Sequence, residues 1–346
     1  MVKEPVAAVR TAFPGLGFGG GAGGEGTMTG TALRDGAHAP GQQGKSAHDP
    51  RHGSMRIADS MDINLRTGTP ADAADCGWIC YEAFAAVASR HGYRTLFPTV
   101  EDGIGLMSWL LSAAGFYTVV AEVDGRVVGS GVLQEWDLTV AAIAVISVDP
   151  SVQGHGVGER LMRAMTKRAS QGGFVAVRLV EEAYNRHSFS LYTKLGFEVR
   201  EMLVRFSEQP KPSVVPGYRV RPANLEEAAE CDELCIRVHG HHRGREFRHS
   251  INEGTARVVE HDRRICGYMT GLGGGWHVLG ESNEDLKALM ASGGEFGGNG
   301  FLVPARNIDL LVWCLAQGLR VAELHTLMGT GLYSEPRGAW LPSLAY

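Results

Sequence analysis

Residues 153–160 read "QGHGVGER". They follow an apolar run, "TVAAIAVISV" at 139–148, and lead into "LMRAMTKRAS" at 161–170, whose apolar residues recur at helical spacing. The run before the glycines has no wet face, so it reads as a strand buried on both sides. A helix N-terminus leaves backbone N–H groups unpaired and carries the positive end of the helix dipole. Glycine lets the chain turn tightly there and lets an anion touch the backbone. The elbow from Gln153 through Gly154, Gly156 and Gly158 to Glu159 therefore predicts a pyrophosphate cradle. It is not the GxGxxG of a dinucleotide site, and it lacks the Lys-Ser/Thr of a triphosphatase loop.

The order of elements around the elbow is mixed α/β. "INLRTG" at 63–68 is a short strand, and 70–92 form a helix that Thr69 can cap and Pro70 can open. Residues 116–134 form a hairpin, because Asp124-Gly125 suits a type I′ turn. After the elbow come a helix to about Ser170, a strand at 174–182 and a helix from about Asn185 to Leu195. "FEVREMLVRF" at 197–206 supplies one or two closing strands.

Pro210, Pro212 and Pro216 then mark a linker, at 209–216. Beyond it the chain starts again. Cys231 and Cys235 repeat Cys76 and Cys80, and "VVEHDRRICG" repeats "VAEVDGRVVG" with Gly267 on Gly129. Farther on, Gly280, Phe296, Asn307 and Gly318 each lie 122 positions after Gly158, Phe174, Asn185 and Gly196. A spacing that holds over separated landmarks indicates a tandem duplication. The expected organisation is a Gly-rich tail at 1–60, a first domain at 61–208, the linker, and a second domain at 217–346.

The tail, rich in Gly, Ala, Pro, Ser and His, has no sustained apolar period and is expected to be disordered. Its GxGxxG at Gly15–Gly20 and its "GKS" at 44–46 have neither strand before nor helix after them, so both are chance matches. The chain has 346 residues, 44% hydrophobic and 21% charged, with a formal net charge of -5. That balance gives no reason to expect nucleic acid or an anionic membrane as partner. No run approaches the ~20 apolar residues that span a bilayer, and no signal peptide is evident, so the expected location is cytoplasmic. Six cysteines in this length do not make a disulfide framework. Cys76/Cys80 and Cys231/Cys235 stack on helix faces as small core residues.

The motifs resemble those of the GNAT superfamily of acyl-CoA N-acyltransferases. "VDPSVQGHGVG" at 148–158 is similar to its [Gln/Arg]-x-x-Gly-x-[Gly/Ala] motif. "NRHSFSLYTKLGF" at 185–197 is similar to its segment running from Asn through Tyr to Gly-Phe. The resemblance covers about 63–206 and, more faintly, 217–346. It implies two tandem GNAT-like α/β domains and a cytoplasmic acetyl-CoA-dependent N-acyltransferase that moves an acetyl or other short acyl group to an amine. Backbone groups of Ile146, Ser147 and Val148 would pair with the pantetheine arm. The backbone of Gln153, Gly154, His155, Gly156, Val157, Gly158 and Glu159 would hold the pyrophosphate. Asn185 would contact the cofactor arm, and Tyr192 would protonate the leaving thiolate.

The strand at 141–148 carries no carboxylate to deprotonate the amine. Glu181 is the candidate base on the next strand, with a water relay, Glu135 or Asp137 as alternatives. Glu182 beside it faces the other way on a regular strand. The 122-position spacing puts Gly275, Val278 and Cys314 where Gln153, Gly156 and Tyr192 stand, so the second copy has lost cradle and acid. The cluster His239, His241, His242 and His249 falls in an expected loop with no paired ligand motif, and no metal is expected. Other readings are an acyl-CoA-binding sensor without turnover and an acyltransferase acting on a hydroxyl.

Overall fold

The computed structural model describes residues 61–293, 296–297 and 300–344. The tail expected at 1–60 lies outside the described residues. The first repeat runs β1 (Asn64–Thr67), α1 (Ala73–His91), α2 (Val100–Ser112), β2 (Phe116–Val123), β3 (Arg126–Gln134), β4 (Val140–Val148), α3 (Val157–Gln171), β5 (Ala176–Glu182), α4 (Arg186–Lys194) and β6 (Glu198–Phe206). The second runs β7 (Tyr218–Pro222), α5 (Ala228–His239), α6 (Gly244–Asn252), β8 (Arg257–His261), β9 (Arg264–Met269), β10 (Leu272–Gly273) and β11 (Val278–Gly280). It continues with α7 (Asn283–Ala291), β12 (Phe296–Gly297), β13 (Phe301–Pro304), α8 (Ile308–Ala316), β14 (Val321–Gly331) and β15 (Ala339–Leu341).

Local chemistry explains most of these boundaries. The hairpin between β2 and β3 turns at Asp124 and Gly125 with φ of 50° and 74°, a left-handed pair as a type I′ turn requires. The hairpin between β8 and β9 repeats it at Asp262 and Arg263, φ 50° and 63°, in the same place in the second repeat. Gly129 and Gly267 also match. A Cβ on Gly129 would lie 2.8 Å from the Ser147 carbonyl oxygen, and one on Gly267 would lie 2.8 Å from that of Leu279. Helix α2 was not foreseen from the sequence. Thr99 and Asp102 form a capping box at its start, and Leu106, Met107 and Leu110 bury its inner face.

The strands do not stay within their own repeats. One eight-stranded sheet has the order β1-β2-β3-β4-β5-β14-β6-β13, and a five-stranded sheet has β15-β11-β9-β8-β7. Strand β14 of the second repeat is therefore antiparallel to both β5 and β6 of the first, and β6 in turn pairs with β13. The strand that follows the fourth helix of each repeat, β6 or β14, thus pairs with strands of the other. Leu203 on β6 and Leu327 on β14 are fully buried in a core shared with Leu234, Phe247 and Tyr268 of the second repeat. The linker thus separates two copies in sequence, while residues 62–344 pack as one compact unit.

The structure corrects the 122-position alignment near the elbow. Gly129 pairs with Val148 and Gly267 with Gly280, so Gly280 is the counterpart of Val148 and not of Gly158. Gly275 and Val278 are then not the counterparts of Gln153 and Gly156. The spacing does hold at Asn185 and Asn307, which cap α4 and α8 with nearly the same backbone angles. The segment expected as a His-rich loop is helical from Gly244 to Asn252.

Removing β14 would leave β5 and β6 with unpaired facing edges and expose Leu203. A chain ended after Glu208 is accordingly expected to lose cooperative thermal unfolding and to self-associate. A soluble monomer with a sharp melting transition, seen by circular dichroism and sedimentation, would refute the strand exchange.

Candidate active site

The site starts where two neighbouring strands part. β4 pairs with β5 in parallel only from Val140↔Ala176 to Ile143↔Leu179. β5 then continues to Glu182 against β14, whereas β4 continues to Val148 with β3 alone. A register shift between Val132 and Leu133 of β3 leaves Ala144 bulged at the point of divergence. From Ala144 onward the β4 edge that faced β5 is open, so the backbone of Ile146–Val148 offers hydrogen bonds to an extended ligand.

That edge runs directly into the elbow. Gln153 donates its amide Nε2–H to the Val148 carbonyl at 3.0 Å and so fixes the turn onto the strand end. Asp149 accepts from Arg126 at 2.7 Å and from the Ser151 backbone N–H at 2.9 Å. Gly154 and Gly156 have φ of 84° and 85°, and a Cβ on either would meet nothing within 4 Å. The space over them is open, and only glycine takes this backbone without strain. Gly156 is the N-cap of α3 and brings no capping side chain, so the first N–H groups of the helix, from Val157 to Glu159, are left for a ligand.

Asn185 caps α4 by accepting from the Ser188 backbone N–H at 3.3 Å. Its amide nitrogen makes no hydrogen bond among the described residues. Asn307, its counterpart, donates instead to the Asn283 side chain at 2.8 Å. Tyr192 is 5% exposed on α4. Burial, then the negative charge of Glu181, hold its hydroxyl well above the usual tyrosine range, opposed by a hydrogen bond with Ser188.

Glu181 is 5% exposed, and neither carboxylate oxygen has a hydrogen-bond partner. Burial and the neighbouring Glu182 push it up to about 8. Glu182 sits across from His325 and is raised by its own burial. The alternatives on the preceding segment are engaged. Glu135 accepts from Arg168 at 2.8 and 3.0 Å, and Asp137 pairs with His241 at 2.6 Å. His242 pairs with Asp232 at 2.9 Å, and among the described residues no group of His, Cys, Asp or Glu is placed to hold a metal ion.

The second repeat shows what the same frame looks like without a site. Val278–Gly280, the counterparts of Ile146–Val148, are paired with the chain's own Leu341, Trp340 and Ala339 in β15. No elbow follows. Gly280 leads through Glu281 to Ser282, which caps α7 in a box with Asp285. Cys314, buried, stands where Tyr192 does.

A family model described as the acetyltransferase (GNAT) family matches residues 81–197, which hold the parted strands, the elbow and Tyr192. This segment of the chain is similar to the GNAT acetyltransferase family. Among its relatives are mycothiol acetyltransferases of Nocardia farcinica, 27% identical over 159 residues, and Catenulispora acidiphila, 36% identical over 161. These matches cover 45% and 46% of this chain, and 51% and 39% of the relatives. The chain thus spans about half or less of the curated relatives it matches. A putative acetyltransferase from Pyrococcus horikoshii shares the fold with a TM-score of 0.62 at 18% identity, over 84% of this chain and 95% of its own. A GCN5-related N-acetyltransferase from Sphaerobacter thermophilus gives a TM-score of 0.52 at 14% identity, over 79% and 96%. These likenesses extend through both repeats, so the paired GNAT-like halves are a property of the fold. Among the described residues no helix is long and apolar enough to cross a membrane.

The buried Glu181 couples stability to pH. In the fold its carboxyl is pushed up to about 8, well above the usual carboxylate range. The folded state keeps this proton where the unfolded chain has lost it, so the contribution to stability is full below the unfolded value and is lost as pH rises through about 8. Glu181→Gln stays neutral at every pH. Its melting temperature is expected to match the wild type near pH 5 and to exceed it by several degrees at pH 9, since ~1 kcal/mol moves Tm by about 2–4 °C at this size. Parallel Tm-against-pH curves would show that Glu181 is ionised in the fold.

Proposed function

We propose that this chain transfers an acetyl group from acetyl-CoA to an amine by direct attack, with the catalytic site in residues 61–208. The observation that carries the reading is the continuity between the open edge at Ile146–Val148 and the uncapped elbow at Gly154–Glu159. An extended amide-bearing arm ending in a pyrophosphate matches both at once, the arm as an added strand and the phosphates on the helix N-terminus. Gln153, His155, Val157 and Gly158 complete the elbow, and Asn185 offers its amide N–H to the arm.

In the reaction the amine nitrogen forms a bond to the thioester carbonyl carbon and the carbon–sulfur bond breaks. Tyr192 gives its proton to the departing thiolate, and Glu181 takes the proton that the amine loses. Both groups have the character these roles need. A hydroxyl that resists ionisation stays protonated until a thiolate forms beside it, and a carboxyl with a pKa near neutrality exchanges protons at working pH.

Tyr192→Phe preserves the ring and removes only the proton. It is expected to lower kcat by roughly 10²-fold with little change in the Kd for acetyl-CoA. Normal turnover by this variant would reduce Tyr192 to a core aromatic. Calorimetric titration should give one acetyl-CoA per chain, and Gly156→Val should abolish the heat of binding, because φ of 85° strains any side chain there. Two equivalent sites per chain would mean that β15 yields its place on β11 to the ligand.

A further inference from the structure

Ala144 and Val145, at the point where β4 leaves β5, open on a cavity of about 200 Å³. The open edge runs from the elbow back along β4 toward these residues, so a ligand lying on it presents its far end to the cavity. Both repeats build the walls. Phe97, Trp109, Phe116 and Trp136 come from the first, and Trp276 and Leu344 from the second. The rings pack on one another, Trp109 to Phe116 at 5.0 Å and Phe116 to Trp136 at 5.1 Å between centroids.

Among the described residues, the ionisable ones around this space are Asp102, Glu246, His249 and Glu253, with no Lys or Arg. Asp102 is held by the Thr99 backbone and hydroxyl in the α2 cap. Glu246 is paired with Arg243 at 2.7 Å and with His277 at 3.1 Å. Glu253 enters no ion pair among the described residues. His249 lies with its ring 5.2 Å from that of Trp136.

We propose that this cavity receives the acceptor, and that the acceptor is a small primary amine on an apolar body of about one aromatic ring, without carboxylate or phosphate. The proposal rests on the acyltransferase reading above and adds the substrate class. Size sets the first limit, since an apolar cavity of roughly 150 Å³ holds a benzene. One ring with a short chain fills the space here, and a disaccharide or a peptide does not. Charge sets the second limit. An anionic group entering this space would be desolvated beside carboxylates with no Lys or Arg to receive it, which is costly. An ammonium finds aromatic rings and the Glu253 carboxylate among the lining residues instead. Beside Ala144 the apolar surroundings favour the neutral amine, which is the form that attacks the thioester carbonyl. The carbon–nitrogen bond then forms as the carbon–sulfur bond breaks, CoA leaves as the thiol, and the amine's proton passes to the protein.

The full chain is to be assayed for CoA release from acetyl-CoA with 2-phenylethylamine, phenylalanine and glucosamine. 2-Phenylethylamine alone, without acetyl-CoA, is to be tested for a shift in Tm. The expected kcat/KM for 2-phenylethylamine exceeds that for phenylalanine, the same body with a carboxylate, by at least ~10²-fold. Leu96→Trp narrows the cavity and should raise KM for the amine about tenfold or more while the Kd of acetyl-CoA holds. Glu253→Lys, half-exposed on the second repeat, should do the same if the first variant misfolds. Release of CoA with glucosamine or phenylalanine but not with 2-phenylethylamine overturns the cavity assignment and leaves the acyltransferase standing. No release with any amine, together with a Tm shift by 2-phenylethylamine that Leu96→Trp abolishes, sinks the enzyme reading and supports the cavity as an amine site. No Tm shift and no turnover with 2-phenylethylamine overturns the proposal.

Discussion

The position of β14 between β5 and β6 is the constraint on which the site depends. A strand that parts from its neighbour exposes backbone groups on both sides of the gap, and an unsupported sheet would close it. Here the far edge of β5 is occupied over seven register pairs, from Gly331↔Ala176 to His325↔Glu182. β5 is thus held on a line that β4 cannot follow past Ile143. The gap is kept by the second repeat, although the open strand edge and the elbow belong to the first. An ion pair between Arg205 of β6 and Glu323 of β14 sits near the open end of these strands, both partners largely buried. Buried pairs of this kind add little net stability over apolar packing. Breaking one costs much more, so this pair is better understood as fixing the register of the exchanged strands.

The same exchange explains how the second repeat could lose its site and remain folded. Its β11 has the open edge that β4 has, but β15 covers it from Ala339 to Leu341, with Trp340 only 6% exposed. A buried edge needs its hydrogen bonds from somewhere. In one repeat they are left for a ligand, and in the other the chain supplies them itself. The capping box at Ser282 satisfies the helix N-terminus in the same self-contained way. One frame therefore yields a binding edge or a structural one, according to whether a glycine elbow or a serine cap follows the strand.

What the sequence made legible was local. The elbow, the left-handed hairpin turn at Asp124-Gly125, and the caps at Asn185 and Asn307 are each determined by residues within a few positions, and the structure has them where the residues indicate. Helix α2 was equally local, since Thr99 and Asp102 announce it, but the glycines at 103 and 105 mask its apolar period. The strand exchange was not legible. β5 pairs with a strand about 150 residues away, and nothing in the alternation of Val321–Gly331 distinguishes that partner from β13 of its own repeat. The alignment of the copies failed at the elbow for a related reason. Loop length is free to change where backbone pairing does not fix it, so a constant spacing read from glycines was carried past a deletion that only the β9–β11 register reveals. The cavity was invisible because its walls come from short segments scattered through both repeats.

The polar seam between the repeats has a consequence for specificity. Asp137, just after β3, pairs with His241 of the second repeat at 2.6 Å, both side chains under a tenth exposed. The Arg178 guanidinium lies 3.5 Å from the other nitrogen of that ring, and Arg243, Glu246 and His277 continue the network to Tyr268. Burial dominates here. It pushes His241 below the usual histidine range against the pull of Asp137, and His277 to about 4, so the His277 ring stays uncharged near neutral pH. A seam built this way holds its geometry only when every member is satisfied. It seals the small polar recess formed by Asp137, His241, Arg243 and Glu246, which adjoins the apolar cavity and shares Gln134, Trp136 and Glu246 with it. Polar groups that satisfy one another have little left for a ligand. The recess therefore acts as a closed end, and the neighbouring cavity discriminates by shape and by the absence of a cation, more than by hydrogen bonds to the acceptor.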